Sequence, residues 1–594
     1  MSLLPARCLA ALLLATTACA AQAATVTRID VRGLDEIEAQ NVRDALSLQQ
    51  AVGKDVSGRR LGVLLRTVED EARGALEPFG YYDPRIDVAR TGADNAPVVV
   101  ITIDPGTPVR VRGFSVEIDG PGASDPVLHK DLAAFAPRPG AVFAHATYET
   151  SKARVNRRLA ERGYFDADLT RHRVEVTRAA HAADIDLAWA SGARYALGQV
   201  DFTQTPEIIR PQLLQKLVRW PPGQPYDQEW IDRLRTSLQA LDYFSQIDVV
   251  PEPAQAVDHR VPVDVRLTPA KRGIYTAGVS YGTDSGMGVR LGVERRYLNE
   301  RGHKALAQID YAQKRKTATL QYRIPAFTWL DGWYTFAAQF TDEQTDYINS
   351  RRVELVASRS GQVNRHLTAI AALHLLRERW AYVPVGGSSN APPTDYQYGT
   401  FLYPSLRGEY VDVDDRLFPR RGIGGYAEVR GGAQSLGSDA DFAQLHAEAR
   451  WFHGLGARNR LLVRGELGHT FTNSLVDMPP SLRFYAGGAR SIRGYSDREV
   501  GPRLETGGGL YSVGAKNVLT GSVEGEHFFT DQWGGALYVD SGSAFDGTVP
   551  DWRTGVGVGV RWRSPVGLVR VDVARGLDHP DSPFTVFLNI GTDL

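Results

Sequence analysis

Gly555-Val-Gly-Val-Gly-Val-Arg-Trp562 decides what kind of fold this chain adopts. Its odd-numbered positions are Gly, Gly, Gly and Arg, and its even-numbered ones Val, Val, Val and Trp. A period of two belongs to a β-strand, whose successive side chains point to opposite faces. One face is apolar and ends in an aromatic; the other is almost bare, then cationic. No helix start follows the glycines, so they form no nucleotide-binding fingerprint. Neighbouring segments repeat the pattern. Val569, Val571 and Val573 share a face opposite Arg570 and Asp572. Phe584, Val586, Leu588, Ile590 and Leu594 share another, opposite Thr585, Asn589, Gly591 and Asp593. A soluble sandwich also alternates, with its apolar face as core. Aromatics at strand ends, with charge and glycine on the polar face, point instead to strands with lipid outside and water inside.

Working outward, nearly everything after Lys271 alternates, punctuated by Gly, Asn and Asp. Residues 269–594 hold about sixteen units of roughly 20 residues, each a strand of ~10 with its turn or loop. The expected architecture for this half is an all-β, 16-stranded transmembrane β-barrel. The mean hydropathy of −0.26 excludes a multi-pass helical membrane protein but leaves a barrel open. Lys+Arg total 68 against 69 Asp+Glu, a net charge of −1, so no nucleic-acid partner is expected. At 43% hydrophobic and 23% charged residues, wholesale disorder is excluded.

The two cysteines, Cys8 and Cys19, lie in Met1–Ala24. Arg7, the apolar run Leu9–Ala15 and Ala21-Gln-Ala23 read as a secretory signal over 1–24. The run is short for a membrane anchor, and Thr16 fits poorly with lipidation at Cys19. A chain cleaved there has no thiol for disulfides, metal ligation or nucleophilic catalysis.

Residues 25 to 268 mix helical and strand periods and contain a repeat. Leu76-Glu-Pro-Phe-Gly-Tyr-Tyr-Asp83, Leu159-Ala-Glu-Arg-Gly-Tyr-Phe-Asp166 and Leu238-Gln-Ala-Leu-Asp-Tyr-Phe-Ser245 recur roughly 80 residues apart. Each closes a helix and precedes alternating strand residues, Ile86/Val88, Val174/Val176 and Ile247/Val249. The helices before the second and third copies carry the stripes Val155/Leu159 and Ile231/Leu234/Leu238. The physical reading is a β-α-α-β-β unit, two amphipathic helices on one face of a three-stranded sheet. The fold class is thus α+β repeats followed by the barrel. The repeat resembles POTRA domains, periplasmic modules that add client strands to exposed sheet edges. It spans 25–105, 106–191 and 192–268, with the barrel at 269–594.

Ala486-Gly-Gly-Ala-Arg490-Ser-Ile492-Arg493-Gly494-Tyr495 resembles the loop motif of the Omp85 superfamily, outer-membrane assembly and secretion barrels. That resemblance implies a loop folded into the lumen, with Arg493 pairing carboxylates that point inward. Glu524 alternates with Val523, and Asp540 with Val539, so both carboxylates fall on the lumenal face. Removing Arg493 should then leave Glu524 and Asp540 uncompensated. Gly555-x-Gly-x-Gly-x-Arg561-x-Arg563-Ser-Pro565-x-Gly567-x-x-Arg570-x-Asp572 is similar to the superfamily's final motif. Asp412-Val-Asp-Asp415-Arg-Leu-Phe418-Pro-Arg-Arg-Gly422 lacks the Gly and final Glu of an EF-hand and reads as an inter-strand turn.

Three POTRA-like units with Thr520-Gly-Ser-Val-Glu524 are most like the TamA branch, the outer-membrane subunit of a translocation and assembly module. The resemblance implies a cell outer membrane location, periplasmic N-terminal units, a TamB-like inner-membrane-anchored partner, and unfolded outer-membrane clients such as autotransporters. The implied action is lateral opening between the first and last strands. Gly273, Tyr275, Ala277 and Val279 would stand on one side, and Phe584, Val586, Leu588, Ile590 and Leu594 on the other. A two-partner-secretion transporter and a passive porin remain alternatives. The 13 histidines show no His-Glu-x-x-His spacing, and no Gly-x-Ser-x-Gly nucleophile elbow is expected. No enzyme activity, cofactor or metal is expected.

Overall fold

The computed structural model describes residues 23–93, 95–282, 286–326, 331–345, 347–385, 395–507, 509–564, 567–578 and 584–591. Cys8, Cys19 and the rest of 1–22 lie outside them, as do Pro565, Asp593 and Leu594. The chain divides into two compact units. One runs to Gln199 and includes Pro221–Glu229 and Glu252–Pro262; the other comprises Val200–Trp220, Trp230–Pro251 and Val263–Leu594. The division passes through the third repeat.

Each repeat is a β-α-α-β-β unit. In the first, Ala96–Asp104 is the central strand, parallel to Arg28–Arg32 and antiparallel to Arg85–Ala93. Helices Glu36–Ala45 and Gly58–Leu76 cover it. The first helix starts where it does because Asp35 accepts from the Glu38 amide at 2.8 Å, closing a capping box. The second buries Leu61, Val68, Ala72 and Leu76 against Val99, Ile101 and Ile103. The second repeat has the same order, with Ala182–Ala190 central between Arg110–Asp119 and Asp168–Thr177. The third sheet places Arg260–Pro269 between Phe244–Pro251 and Ala196–Gln204.

The residue before each anchor tyrosine takes a left-handed conformation, with φ of 92° at Gly80, 84° at Gly163 and 55° at Asp242. This turn ends the helix and throws the aromatic pair across it. The second aromatic then reaches forward. Tyr82 joins the core of the second repeat, its hydroxyl 2.6 Å from His145 Nε2. Phe165 packs edge-on against Tyr226, with centroids 4.8 Å apart. In the third copy the anchor itself does this: Tyr243 is fully buried and its hydroxyl donates to the carbonyl of Gly302, in the turn before the third barrel strand. Lys304 lies 5.2 Å over the same ring, and Arg296 Nε donates to Asp242 at 2.9 Å.

The barrel half is one 16-stranded sheet from Gly273–Gly282 to Thr585–Gly591. Each strand pairs antiparallel with its sequence neighbour, except that Asn459–Phe471 pairs with Asn517–Phe528 across a long excursion. The outer face carries exposed Val279, Leu291, Leu320, Phe336, Leu537, Val558 and Leu588. In lipid such a face is at home, and between neighbouring strands of the order the ladders satisfy the backbone. Trp533 stacks on Trp562 near one rim, centroids 5.5 Å apart, as the Gly555–Trp562 alternation leads one to expect. Among the described residues no helix is long and apolar enough to cross a membrane. Gly278-Val-Ser280-Tyr-Gly282 has the spacing of a nucleophile elbow, yet it runs within the first strand with no helix after it.

The Asp412–Gly422 segment is a turn between Gln397–Val413 and Gly422–Gly432. Asp414 Oδ1 accepts from the amides of Asp415, Arg420 and Arg421 at 3.0, 2.8 and 3.1 Å. That carboxylate is committed to its own backbone.

Candidate functional site: a lumenal arginine and its carboxylates

The excursion between Phe471 and Asn517 carries the Ile492–Tyr495 segment back against the wall. Ile492 and Tyr495 are buried with Phe484, Ala486 and Val500 against Val518 and Ala544. Gly494 makes the return possible: its φ is 98°, and a Cβ there would lie 2.6 Å from the Arg575 carbonyl carbon. The Tyr495 hydroxyl reaches the Thr554 carbonyl at 3.4 Å and Asp578 at 3.3 Å.

Arg493 is 5% exposed, and its hydrogen-bonding groups are well occupied. Its backbone amide donates to Asp540 Oδ2 at 3.0 Å, Nε to the same oxygen at 2.7 Å, and Nη2 to Oδ1 at 2.9 Å. Nη1 donates to Glu524 Oε2 at 2.7 Å and Nη2 to Ser522 at 3.2 Å. The guanidinium lies 3.3 Å over the Tyr538 ring. A planar fork between two carboxylates and an aromatic face is a geometry that lysine cannot reproduce. All of these partners point inward because they alternate with outward Val523, Leu537 and Val539.

Glu524 has a second cation. Arg561, fully buried, donates to Glu524 Oε1 at 2.6 Å, to Asp572 at 2.7 Å and to Glu526 at 3.1 Å. Glu526 in turn accepts from Arg460 Nε at 2.8 Å, and Arg460 Nη1 donates to the Pro419 carbonyl at 2.7 Å. The ladder thus runs from the lumenal loop to the turn at 414–421. Burying so many charges is tolerable only because each has an opposite neighbour.

The sequence-predicted residues Ile492, Arg493, Gly494, Tyr495, Glu524 and Asp540 come together. One expectation needs correction: Glu524 would not be uncompensated without Arg493, since Arg561 also holds it. Asp540 loses the guanidinium hydrogen-bonded to it, keeping Ser522 beside it. The reading also missed the partnering of Arg561, Asp572, Glu526 and Arg460. The inward parity of Glu524 extends to Glu526, and that of Gly555 to Arg561, so alternation carried a signal for both.

Among the described residues no ladder joins the seam strands: the strand order begins at Gly273–Gly282 and ends at Thr585–Gly591. The last strand has seven described residues, and Leu594 of the expected seam lies outside them. Gly273, Tyr275, Ala277 and Val279 all lie in the first strand, with Tyr275 and Val279 exposed on its outer face. Val586 and Leu588 face outward in the last strand, and Phe584 precedes it by one residue. Of Ile590 only the backbone is described, opposite Val569. A lumenal cavity of about 560 Å³ is bordered by Arg493 and by Phe587 and Asn589 of the last strand.

Residues 288–593 match the model of the Omp85 superfamily domain, and residues 28–105 match that of a POTRA domain, TamA domain 1. The chain is similar to outer membrane protein assembly factor BamA of Nitratidesulfovibrio vulgaris, 22% identical over 93% of this chain and 71% of that protein. It is also similar to that of Neisseria meningitidis, 21% identical over 82% of this chain and 64% of that protein. It thus spans about two thirds of the length of these relatives. Among solved structures, BamA from Haemophilus ducreyi lacking POTRA domains 1–3 superposes with a TM-score of 0.64 at 15% identity. That likeness covers 81% of this chain and 99% of the other, and it concerns the fold.

Proposed function

This chain belongs to the Omp85 superfamily, and from that premise we propose that it inserts or secretes client proteins by parting the seam between its first and last strands. It is an outer-membrane protein with POTRA units in the periplasm. The observation that carries the reading is the lumenal loop held to Asp540 and Glu524 by Arg493, with Phe587 and Asn589 of the last strand lining the same cavity. An unpaired edge inside a bilayer is costly, and a client strand that pairs with it removes that cost. Client folding and burial in lipid supply the driving force, so transport itself needs no enzymatic step. The lumenal loop, seated by Arg493 against the inner wall, borders the cavity that the last strand also lines and disfavours a passive porin.

Within the superfamily we infer the TamA branch, with a TamB-like inner-membrane-anchored partner and autotransporters among the clients. Three POTRA-like units and the match of 28–105 to a TamA first POTRA domain support this.

The test pairs cysteines at 275, 277 or 279 with cysteines at 586 or 588; no native cysteine follows Cys19. The oxidised barrel is expected to lose client insertion into vesicles and to regain it on reduction. Full activity in the cross-linked form would overturn lateral opening. A large stable single-channel conductance would favour the porin.

A further inference from the structure

Three adjacent strands, Ile348–Gln362, Leu367–Tyr382 and Gln397–Val413, bring Glu354, His374 and Ser405 together on the lumenal face. His374 stands directly opposite Tyr403 and Val356, so Ser405 and Glu354 are its diagonal neighbours, two residues along each partner strand. His374 Nδ1 is 2.9 Å from Glu354 Oε1, and its Nε2 is 3.1 Å from Ser405 Oγ. A carboxylate can only accept, so Nδ1 carries the proton and Nε2 is left to accept from the serine hydroxyl. The imidazole is held in plane by Tyr403, stacked 4.7 Å away with 2° between rings. The Tyr403 hydroxyl also donates to Glu354 at 3.4 Å, fixing the carboxylate.

Nucleophile, base and orienting carboxylate therefore stand in the order and at the distances of a serine relay, which is recognised by geometry and roles and not by position in the chain. A cation is also present. Arg430 is the register partner of Ser405 on the next strand, and its Nε donates to Gln444 on the strand beyond. The His374 and Glu354 side chains keep 17% and 20% of their surface open, while Ser405 between the strands is 8% exposed. Among the described residues another His–Glu pair, His446 with Glu466 at 3.0 Å, meets the Tyr426 hydroxyl on its remaining nitrogen.

We propose that Ser405 is a nucleophile for small acyl esters, activated by His374 and Glu354, in addition to the transport role. Ser405 Oγ attacks the ester carbonyl carbon as its proton moves to His374 Nε2, giving a tetrahedral oxyanion. The ester C–O bond breaks, and the proton passes from His374 to the departing alcohol. Water then attacks the acyl-serine by the same route, releasing the acid and restoring Ser405. The linear search for elbows misses this set because its three members come from three strands.

The test treats the folded full-length barrel with a small fluorophosphonate and maps adducts by peptide mass spectrometry. An adduct on Ser405 is expected. His374→Gln should slow its formation about 100-fold, within the range for loss of a general base. Glu354→Gln should slow it less, and Ser405→Ala should abolish both the adduct and hydrolysis of a short-chain chromogenic ester. Each variant must keep the heat-modifiable mobility of a closed barrel, which separates loss of reactivity from loss of fold. No adduct on Ser405 in the folded wild type, or equal labelling of the folded His374→Gln variant, overturns the proposal and leaves the cluster as a polar brace.

Discussion

A Cβ placed on Gly555 would lie 1.8 Å from the carbonyl oxygen of Arg493. The bare face of the Gly555–Trp562 segment is therefore a seat for the lumenal loop at one point; Gly557 and Gly559 make room for Tyr538 and for Arg561 with Asp572. Gly555→Ala should push the loop off the wall at ~1–3 kcal/mol, the usual cost of overpacking. Protease cleavage within 484–500 is expected to rise and client insertion to fall, while heat-modifiable mobility is unchanged. Normal protection of 484–500 would refute the seat.

Arg493→Ala strips Asp540 of two guanidinium hydrogen bonds and leaves it beside Ser522. Removing one partner of a buried pair costs ~3–5 kcal/mol. The loop is the part free to move, so it should give way first. Hydrogen exchange is expected to quicken at 486–500 and stay slow in Asn517–Phe528, with client insertion lost before barrel stability. Equal losses of melting temperature and activity would show that the arginine braces the whole barrel.

Which of this was legible beforehand follows from what a single strand can reveal. Alternation separates lipid from lumen within one segment, so Val523 against Glu524, or Val558 against Gly557, could be sorted without a partner strand. Neighbourhood across strands could not be read that way. Arg460 meets Glu526 only because Asn459–Phe471 pairs with Asn517–Phe528 over the excursion, and Arg561 meets Glu524 from two strands away. The repeat anchors were visible as letters. The forward reach of Tyr82 and Phe165 was not, because it depends on the left-handed turn before them.

Tyr243→Phe tests the junction of the third repeat with the barrel. It removes the donor to the Gly302 carbonyl and leaves the Lys304 contact with the ring. The expected loss is ~1 kcal/mol. Amide exchange across 296–304 should rise about fivefold, the same energy expressed as an opening equilibrium. Unchanged exchange would mean that the hydroxyl contributes nothing to holding the turn.

Asp125 gives the second repeat a pH dependence of known sign. Burial pushes its carboxyl up, but the Val127 amide and the Arg162 guanidinium outweigh that and hold it below the ordinary carboxylate range. The unfolded value is about 3.9. The stabilisation is therefore fully present above about pH 5, and it fades as pH falls through the lowered folded value. Asp125→Asn should destabilise this repeat by ~1–3 kcal/mol at neutral pH, as expected for a lost charge-assisted hydrogen bond. Followed by Trp189 fluorescence during denaturant unfolding, the gap between wild type and variant should shrink below about pH 4. A gap that widens in acid would contradict the assignment.

Where the first two repeats turn on glycine, the third turns on Asp242, whose carboxylate serves Arg296 and whose neighbour Tyr243 serves Gly302. The array is consequently polar and cannot be permuted. A chimaera ending in the first or second repeat would bring a glycine to a place where a charge is required, and would meet the barrel without its clasp.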